Sequence, residues 1–149
     1  WQLDGESGAV KAKVTCPSQV DGEITCMALD SARHCIWTAG RDCKLTMWQL
    51  DGESGAVKAT VTCPSEVDGD ITSMALDSAR NCIWTAGRDC KLSMWEIDVA
   101  SGAVKAPVTC PSKVMLSNVD DEILCMALDP ANRRIWTAGR DRTISIWLY

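Results

Sequence analysis

The stretch IWTAGRDCKLTMW occupies residues 36–48, and closely related stretches return at 83–95 (IWTAGRDCKLSMW) and 135–147 (IWTAGRDRTISIW). The similarity extends outward from this motif, because residues 1–47 align with 48–94 without a gap and differ at only six positions. Self-similarity at a fixed period is the mark of a repeat architecture. The chain is therefore interpreted as one unit used three times rather than as three independent domains.

The repeat boundaries follow from the tryptophan that closes each copy of the motif. The three repeats are 1–47, 48–94 and 95–149. The third repeat carries a five-residue insertion, MLSNV, at 115–119. The chain of 149 residues is 46% hydrophobic, which is enough apolar material for a packed core.

Each repeat contains four short segments with the composition of β-strands. In the first repeat they are AVKAKVTC (9–16), EITCMALD (23–30), HCIWTAG (34–40) and CKLTMWQL (43–50). Turn-forming runs such as DGESG, PSQVDG, DSAR and GRD separate them. No window combines helical spacing with helix caps. The pattern predicts an all-β fold built from units of four antiparallel strands.

The stretch 36–50 resembles the second half of a WD40 repeat: an apolar strand, a Gly turn, an Asp, and a Trp six residues later. The resemblance covers essentially the whole chain, and it implies three β-propeller blades that together form a partial propeller. It also implies a hydrogen-bonded structural set in each blade. The Thr, Asp and Trp of this set fall on Thr38, Asp42, Trp48, Thr85, Asp89, Trp95, Thr137, Asp141 and Trp147. The His of the family set is replaced by Val20, Val67 and Val119.

The same resemblance implies that one rim of the blades contacts partners. The implied rim positions are Arg41, Arg88, Arg140, Glu23, Asp70, Glu122, Thr25, Thr72 and Leu124, with Met115 and Leu116 of the insertion nearby. Arginine suits bidentate recognition of carboxylate or phosphate, so one interpretation is a rim that binds an acidic or phosphorylated segment. The other interpretation is that each arginine pairs with a neighbouring carboxylate of the chain itself.

Composition excludes several classes of function. The net charge of −5 argues against bulk binding to nucleic acid, which needs a positive field. No apolar run approaches the roughly 20 residues of a membrane-spanning helix. The nine cysteines are odd in number and form no C-x-x-C pair, which indicates free thiols in a reducing compartment. We therefore expect an intracellular, cytoplasmic protein without a metal site or cofactor.

The sequence carries no recognisable catalytic constellation. The one histidine, His34, is followed by Cys35, but successive residues of a strand point to opposite faces. The equivalent positions of His34 in the other repeats are Asn81 and Arg133, which favours a turn residue over a catalytic base. There is no phosphate-binding loop and no nucleophile elbow. The prediction is that the chain is not an enzyme.

The favoured function is a non-catalytic scaffold that binds a protein or peptide partner through one rim. Three blades are too few to close a ring of about four to eight, so further blades are expected from a longer chain or from a second copy. Two alternatives stay open. The chain is an accessory propeller domain of a larger enzyme, such as a phosphoinositide phosphatase, or it is a self-assembling or designed repeat oligomer without a native ligand. The tryptophans at 37, 84 and 136 are expected to pack between blades.

Overall fold

The structure is a computed structural model, and it describes residues 2–3, 10–12, 22–51, 54, 56–63, 67–98, 103–105, 108–109 and 121–149. All regular secondary structure in these residues is β. The strands are β1 (Gln2–Leu3), β2 (Val10–Ala12), β3 (Ile24–Asp30), β4 (Cys35–Gly40), β5 (Leu45–Leu50), β6 (Val57–Thr62), β7 (Ile71–Asp77), β8 (Cys82–Gly87), β9 (Leu92–Glu96), β10 (Val108–Thr109), β11 (Ile123–Asp129), β12 (Arg134–Gly139) and β13 (Ile144–Leu148).

The strands form antiparallel sheets in which neighbours follow one another along the chain. The first sheet has the order β3-β4-β5-β6, and the second has the order β7-β8-β9-β10. The third sheet contains β11-β12-β13, so the described residues supply three of its four predicted strands. The all-β architecture of repeated antiparallel units is confirmed. The repeat boundaries at residues 48 and 95 fall inside β5 and β9, so each four-stranded sheet combines strands from two successive repeats.

The pairing register of the strands is the same from one sheet to the next, as the repeated sequence predicts. In each sheet the first two strands pair with a bulge after the first residue, as between Ile24 and Cys26 in β3. The small ribbon of β1 and β2 pairs Gln2 with Ala12 and Leu3 with Val10. Gln49 pairs with Ala59 and Leu50 with Val57 in the same way. The ribbon thus matches the third and fourth strands of the first sheet.

The three sheets stack face to face. We call the side of each sheet that is turned toward the preceding sheet its front face, and the opposite side its back face. The back face of the first sheet, with Trp37 and Leu45, shares a core with Ile71, Ile83 and Trp95 on the front face of the second. A second core joins the back face of the second sheet to the front face of the third, through Trp84, Leu92, Ile123, Ile135 and Trp147.

The tryptophans that precede the motif threonine lie on the back faces. Trp37 and Trp84 are fully buried between neighbouring sheets, which confirms the prediction of a packing stripe for these two residues. Trp136 occupies the same position on the third sheet and remains 37% exposed. Burial of each large apolar ring contributes on the order of 2–3 kcal/mol. Contacts between sheets therefore supply much of the stability of each unit, as in other repeat proteins.

Candidate functional site

The Thr–Asp–Trp set lies inside the sheets, close to the implied rim. The indole Nε1 of Trp48 donates a hydrogen bond of 2.7 Å to Oγ1 of Thr38. Trp95 and Trp147 donate equivalent bonds of 2.8 Å to Thr85 and Thr137. All six side chains are buried, and most buried indole N–H groups in proteins have an acceptor. The hydroxyl supplies it, so the set ties the third strand of each sheet to the second.

The aspartates of the set shape the turn between those two strands. One carboxylate oxygen of Asp42 accepts a hydrogen bond from the backbone N–H of Lys44, and Asp89 accepts the equivalent bond from Lys91. The residue between them adopts a positive φ, 58° at both Cys43 and Cys90. A short polar side chain that binds the backbone two residues ahead stabilises such a turn. Burial raises the pKa of Asp89.

A glycine at the end of the second strand brings this turn against the start of the first strand. A Cβ atom added to Gly40 or Gly87 would lie 1.9 Å from the carbonyl oxygen of Glu23 or Asp70. The next backbone N–H, that of Arg41 or Arg88, donates to this same carbonyl at 3.0 Å. The close approach places each rim arginine beside the acidic residue that precedes the first strand.

The rim arginines all pair with carboxylates of the chain. Arg41 Nε lies 3.2 Å from Glu23, and both side chains are more than half exposed. Arg88 lies 3.2 Å from Asp70 and also reaches Glu122 of the third sheet at 3.4 Å. Arg140 Nε lies 2.9 Å from the second oxygen of Glu122. The arginine and carboxylate of each sheet therefore come together, and Arg88 with Glu122 links the second sheet to the third, whereas the pair of Arg41 and Glu23 stays within the first.

The remaining rim positions have different surroundings. The hydroxyl of Thr25 donates to the backbone carbonyls of Ala39 and of Ile71 in the second sheet. The hydroxyl of Thr72 donates in the same way to Ala86 and to Ile123 of the third sheet. These threonines link neighbouring sheets. Leu124, at the equivalent position of the third sheet, is exposed. Met115 and Leu116 lie outside the described residues.

The described cysteines and His34 are the other side chains that could carry chemistry. No disulfide joins any two of the seven described cysteines, and burial raises the pKa of Cys26, Cys35, Cys63 and Cys82 to about 11. His34 lies in a turn with a φ of 50°. Within the described ranges no cluster of three His, Cys, Asp or Glu side chains could hold a metal ion. None of these residues forms a helix long and apolar enough to cross a membrane.

One polar cluster that the sequence did not predict lies at the end of the sheets opposite the rim. Tyr149 Oη donates a hydrogen bond of 2.9 Å to Oδ2 of Asp77, and Arg80 Nη1 binds the same oxygen at 2.8 Å. Tyr149 belongs to the third repeat and Asp77 to the second, so the cluster joins two sheets. The repeated DSAR segment was the available signal, since it places an Arg three residues after each Asp.

Electrostatics within this cluster follow from burial and hydrogen bonding. Burial, reinforced by the hydrogen bond to Asp77, raises the pKa of Tyr149 to about 12. Burial also acts to raise the pKa of Asp77, but hydrogen bonds from Arg80 and Tyr149 outweigh it, and the pKa of Asp77 is lowered. In the first sheet, Arg33 binds Asp30 at 2.7 Å and reaches Asn81 of the second sheet.

Comparison with known proteins gives similarity in structure without similarity in sequence. No protein-family model and no curated protein matches the sequence. The chain is similar in structure to the WD40 β-propeller domain of Doa1, with a TM-score of 0.62 and 14% identity over 88% of this chain and 39% of that one. It is also similar to U3-55K and to the RRP9 WD40 repeats, each with a TM-score of 0.59 and 19% identity over 86% of this chain and 37% of the other.

The chain thus spans about two-fifths of the length of these solved structures. Identities of 14–19% establish the fold and nothing finer. The agreement of sheet order, repeated Thr–Trp bonds and structural similarity leads to one conclusion. This chain has the fold of a WD40 β-propeller, and its sheets form an incomplete propeller.

Proposed function

We propose that the chain is a non-catalytic interaction scaffold whose arginine rim binds an acidic or phosphorylated segment of a protein partner. The arginine rim is the set Arg41, Arg88 and Arg140 together with Glu23, Asp70 and Glu122. One observation carries the proposal. The three arginines sit on equivalent turns of three adjacent sheets, and their side chains are 59%, 56% and 62% exposed.

The present ion pairs leave these arginines available to a competing anion. Exposed ion pairs contribute only about 0–1 kcal/mol, because water and salt screen them. A partner carboxylate or phosphate that binds the guanidinium through two parallel hydrogen bonds would gain both energy and orientation. Glu122, by contrast, is mostly buried and is shared by Arg88 and Arg140. We therefore expect Arg41, which pairs with an exposed Glu23, to be the first arginine that a partner engages.

The proposal extends to the compartment and to the absence of catalysis. The described cysteines form no disulfide with one another, which suits a reducing compartment such as the cytoplasm. The four thiols whose pKa is about 11 are protonated at neutral pH and are poor nucleophiles. The proposed partner is a protein or peptide, and no cofactor takes part.

Fluorescence anisotropy with labelled peptides tests the rim directly. The probes are a polyglutamate peptide, a phosphoserine peptide, and the same peptide without its phosphate. We expect the acidic and phosphorylated peptides to bind, with an affinity that falls as salt is raised. Replacing Arg41, Arg88 and Arg140 together by Gln should abolish this binding. Lys105→Gln is the matched control, since it removes one exposed cation paired with Glu96 away from the rim.

Two results would contradict the proposal. The first is that neither anionic peptide binds the unaltered chain. The second is that binding survives in the triple variant, or is lost equally in the Lys105→Gln control. Circular dichroism of each variant separates loss of the rim from loss of the fold.

A further inference from the structure

The front face of the first sheet exposes apolar side chains whose equivalents in the second and third sheets are buried. Met27 and Leu29 are 64% and 63% exposed, and Ile24 is also exposed. At the same position as Ile24, Ile71 of the second sheet and Ile123 of the third are completely buried. Met74, Leu76, Met126 and Leu128, which correspond to Met27 and Leu29, pack against the two cores between sheets.

The back face of the third sheet shows the complementary pattern. Ile144 is 62% exposed and Trp136 is partly exposed, whereas the equivalent Leu45, Leu92, Trp37 and Trp84 are buried. A groove of about 280 Å³ opens on this face, lined by Trp136, Ala138, Ile144, Cys125 and Ala127 among others. On the first and second sheets, the strand that covers the same face is the first strand of the next sheet.

The molecule itself carries the surface that fits this groove. The strand that covers Trp37 has the pattern Ile-x-x-Met-x-Leu at 71–76, and the strand that covers Trp84 repeats it at 123–128. The same pattern stands exposed at 24–29. We infer that the front face of one copy of the chain packs on the back face of a second copy, as successive sheets do within the chain. This inference is independent of the proposed ligand of the arginine rim.

The surroundings of β13 also favour the packing of a second copy against the third sheet. Ser145 is completely buried, and its Oγ has no hydrogen-bond partner among the described residues. The equivalent Thr46 shares a hydrogen bond of 3.2 Å with Thr62 of the fourth strand. In chain order, a fourth strand such as β6 directly precedes the first strand of the next sheet. In a second copy β2 holds that position before β3, and it would complete the third sheet by exchanging β1, its partner within one chain, for β13.

The back face departs from the internal contacts at one charged position. Arg134 replaces Cys35 and Cys82, which are buried between sheets. It is the first residue of β12 and is exposed. From the end of a strand, a long arginine side chain can lie along the apolar surface and keep its guanidinium in water. The contact between copies is therefore expected to be weaker than the contacts within the chain.

A contact between front and back faces uses two different surfaces, so each copy offers one of each. Two copies joined at both contacts would align six sheets, a number within the range of about four to eight for closed propellers. Light scattering on a sizing column should then give a discrete species of about twice the 16.2 kDa chain mass.

Two variants test this arrangement of faces. Each substitutes an exposed residue, so the fold of the single chain should not change. Met27→Glu alters the front face only, and Ile144→Glu alters the back face only. Each variant alone should run as a single chain with an unchanged circular dichroism spectrum. Their mixture should regain a two-chain species, because one partner keeps its back face and the other its front face. Ala79→Glu, in an exposed turn, adds the same charge as a control and should leave the two-chain species unchanged.

Three outcomes would overturn the inference. One is a single-chain mass at every concentration. Another is a mixture of the two variants that stays monomeric although each is folded. The third is that only one of the two variants dissociates the assembly, since a contact between like faces would be sensitive to a single face.

Discussion

The indole Nε1 of Trp95 donates a hydrogen bond of 2.8 Å to Oγ1 of Thr85, and both side chains are buried in the second sheet. The bond joins strand β9 to strand β8 behind the turn that carries Arg88. The first and third sheets contain the same bond. The motif therefore holds the second and third strands of each sheet together. Removing the acceptor alone tests this structural role.

Replacing Thr85 by Val keeps the shape of the side chain and leaves the buried indole N–H unpaired. We expect the free energy of unfolding to fall by about 1–3 kcal/mol, the cost of an unsatisfied buried donor. Urea denaturation measures it. Thr60→Val removes a half-exposed hydroxyl from the strand opposite Trp48 and should change stability by no more than about 0.5 kcal/mol. Equal effects of the two substitutions would show that the Thr–Trp bond contributes nothing.

Gly87→Ala should damage the turn that presents Arg88. The added Cβ would lie 1.9 Å from the carbonyl oxygen of Asp70, so the backbone must move. We expect the free energy of unfolding to fall by about 3 kcal/mol, which is the upper end of the usual cost of overpacking. Gly69→Ala is the matched control, because its Cβ would lie 3.2 Å from the nitrogen of Asp89, and it should cost less than about 1 kcal/mol. Thermal denaturation distinguishes them, and a stable Gly87→Ala protein would refute the close approach.

His34→Asn should stabilise the chain. His34 has a φ of 50°, and the equivalent Asn81 and Arg133 have φ values of 54° and 53°. Asparagine tolerates this left-handed conformation better than other non-glycine residues, for which it costs about 1–2 kcal/mol. We expect a gain of roughly 0.5–1 kcal/mol for His34→Asn and for Arg133→Asn. Ala32→Asn, in the same turn without a positive φ, should give no such gain. Urea denaturation of the three variants provides the comparison.

The raised pKa of Tyr149 predicts that the protein loses stability at alkaline pH. Its pKa is raised from an ordinary value of 10.0 to about 12 by burial and by its bond to Asp77. Because the folded state holds the phenol proton more tightly, the stabilisation is complete below pH 10 and is lost as pH rises toward 12. Tyr149 is the only tyrosine, so its ultraviolet absorbance reports this titration alone.

The control for this titration is Tyr149→Phe, which keeps the ring and removes the hydroxyl. Its stability should depend less on pH between 10 and 12 than that of the unaltered chain. A phenol that titrates near pH 10 in the folded protein would contradict the buried hydrogen bond to Asp77. Lysines titrate in the same range, so the comparison rests on the difference between the two proteins.

Short-range patterns were enough to predict the strands. Alternating apolar residues and the turn runs located β3, β4 and β5 to within two residues, because side-chain alternation and turn chemistry are local properties. The repeated motif likewise predicted that Trp48 would need a buried acceptor. Repetition of the sequence three times also implied repetition of the register, which the sheets show.

The polar contacts between repeats could not be predicted in this way. The link from Tyr149 to Asp77 joins residues 72 positions apart, and no local pattern marks it. The rim arginines had two possible interpretations from sequence, an acidic partner or a carboxylate of the chain itself. The structure pairs Arg88 both with Asp70 of its own sheet and with Glu122 of the next, because stacking of the sheets brings Glu122 within reach.

By itself, then, the sequence determined that this protein is built from repeated antiparallel β-units with a Gly–Arg–Asp turn in each. Periodicity, glycine and turn residues act over a few positions, and they recur with few changes in each copy. Only the tertiary structure decided which equivalent residues are buried and which are exposed. Met27 and Met74 occupy equivalent positions in nearly identical strands, yet only Met74 packs against a core, because only Met74 has a preceding sheet to cover it.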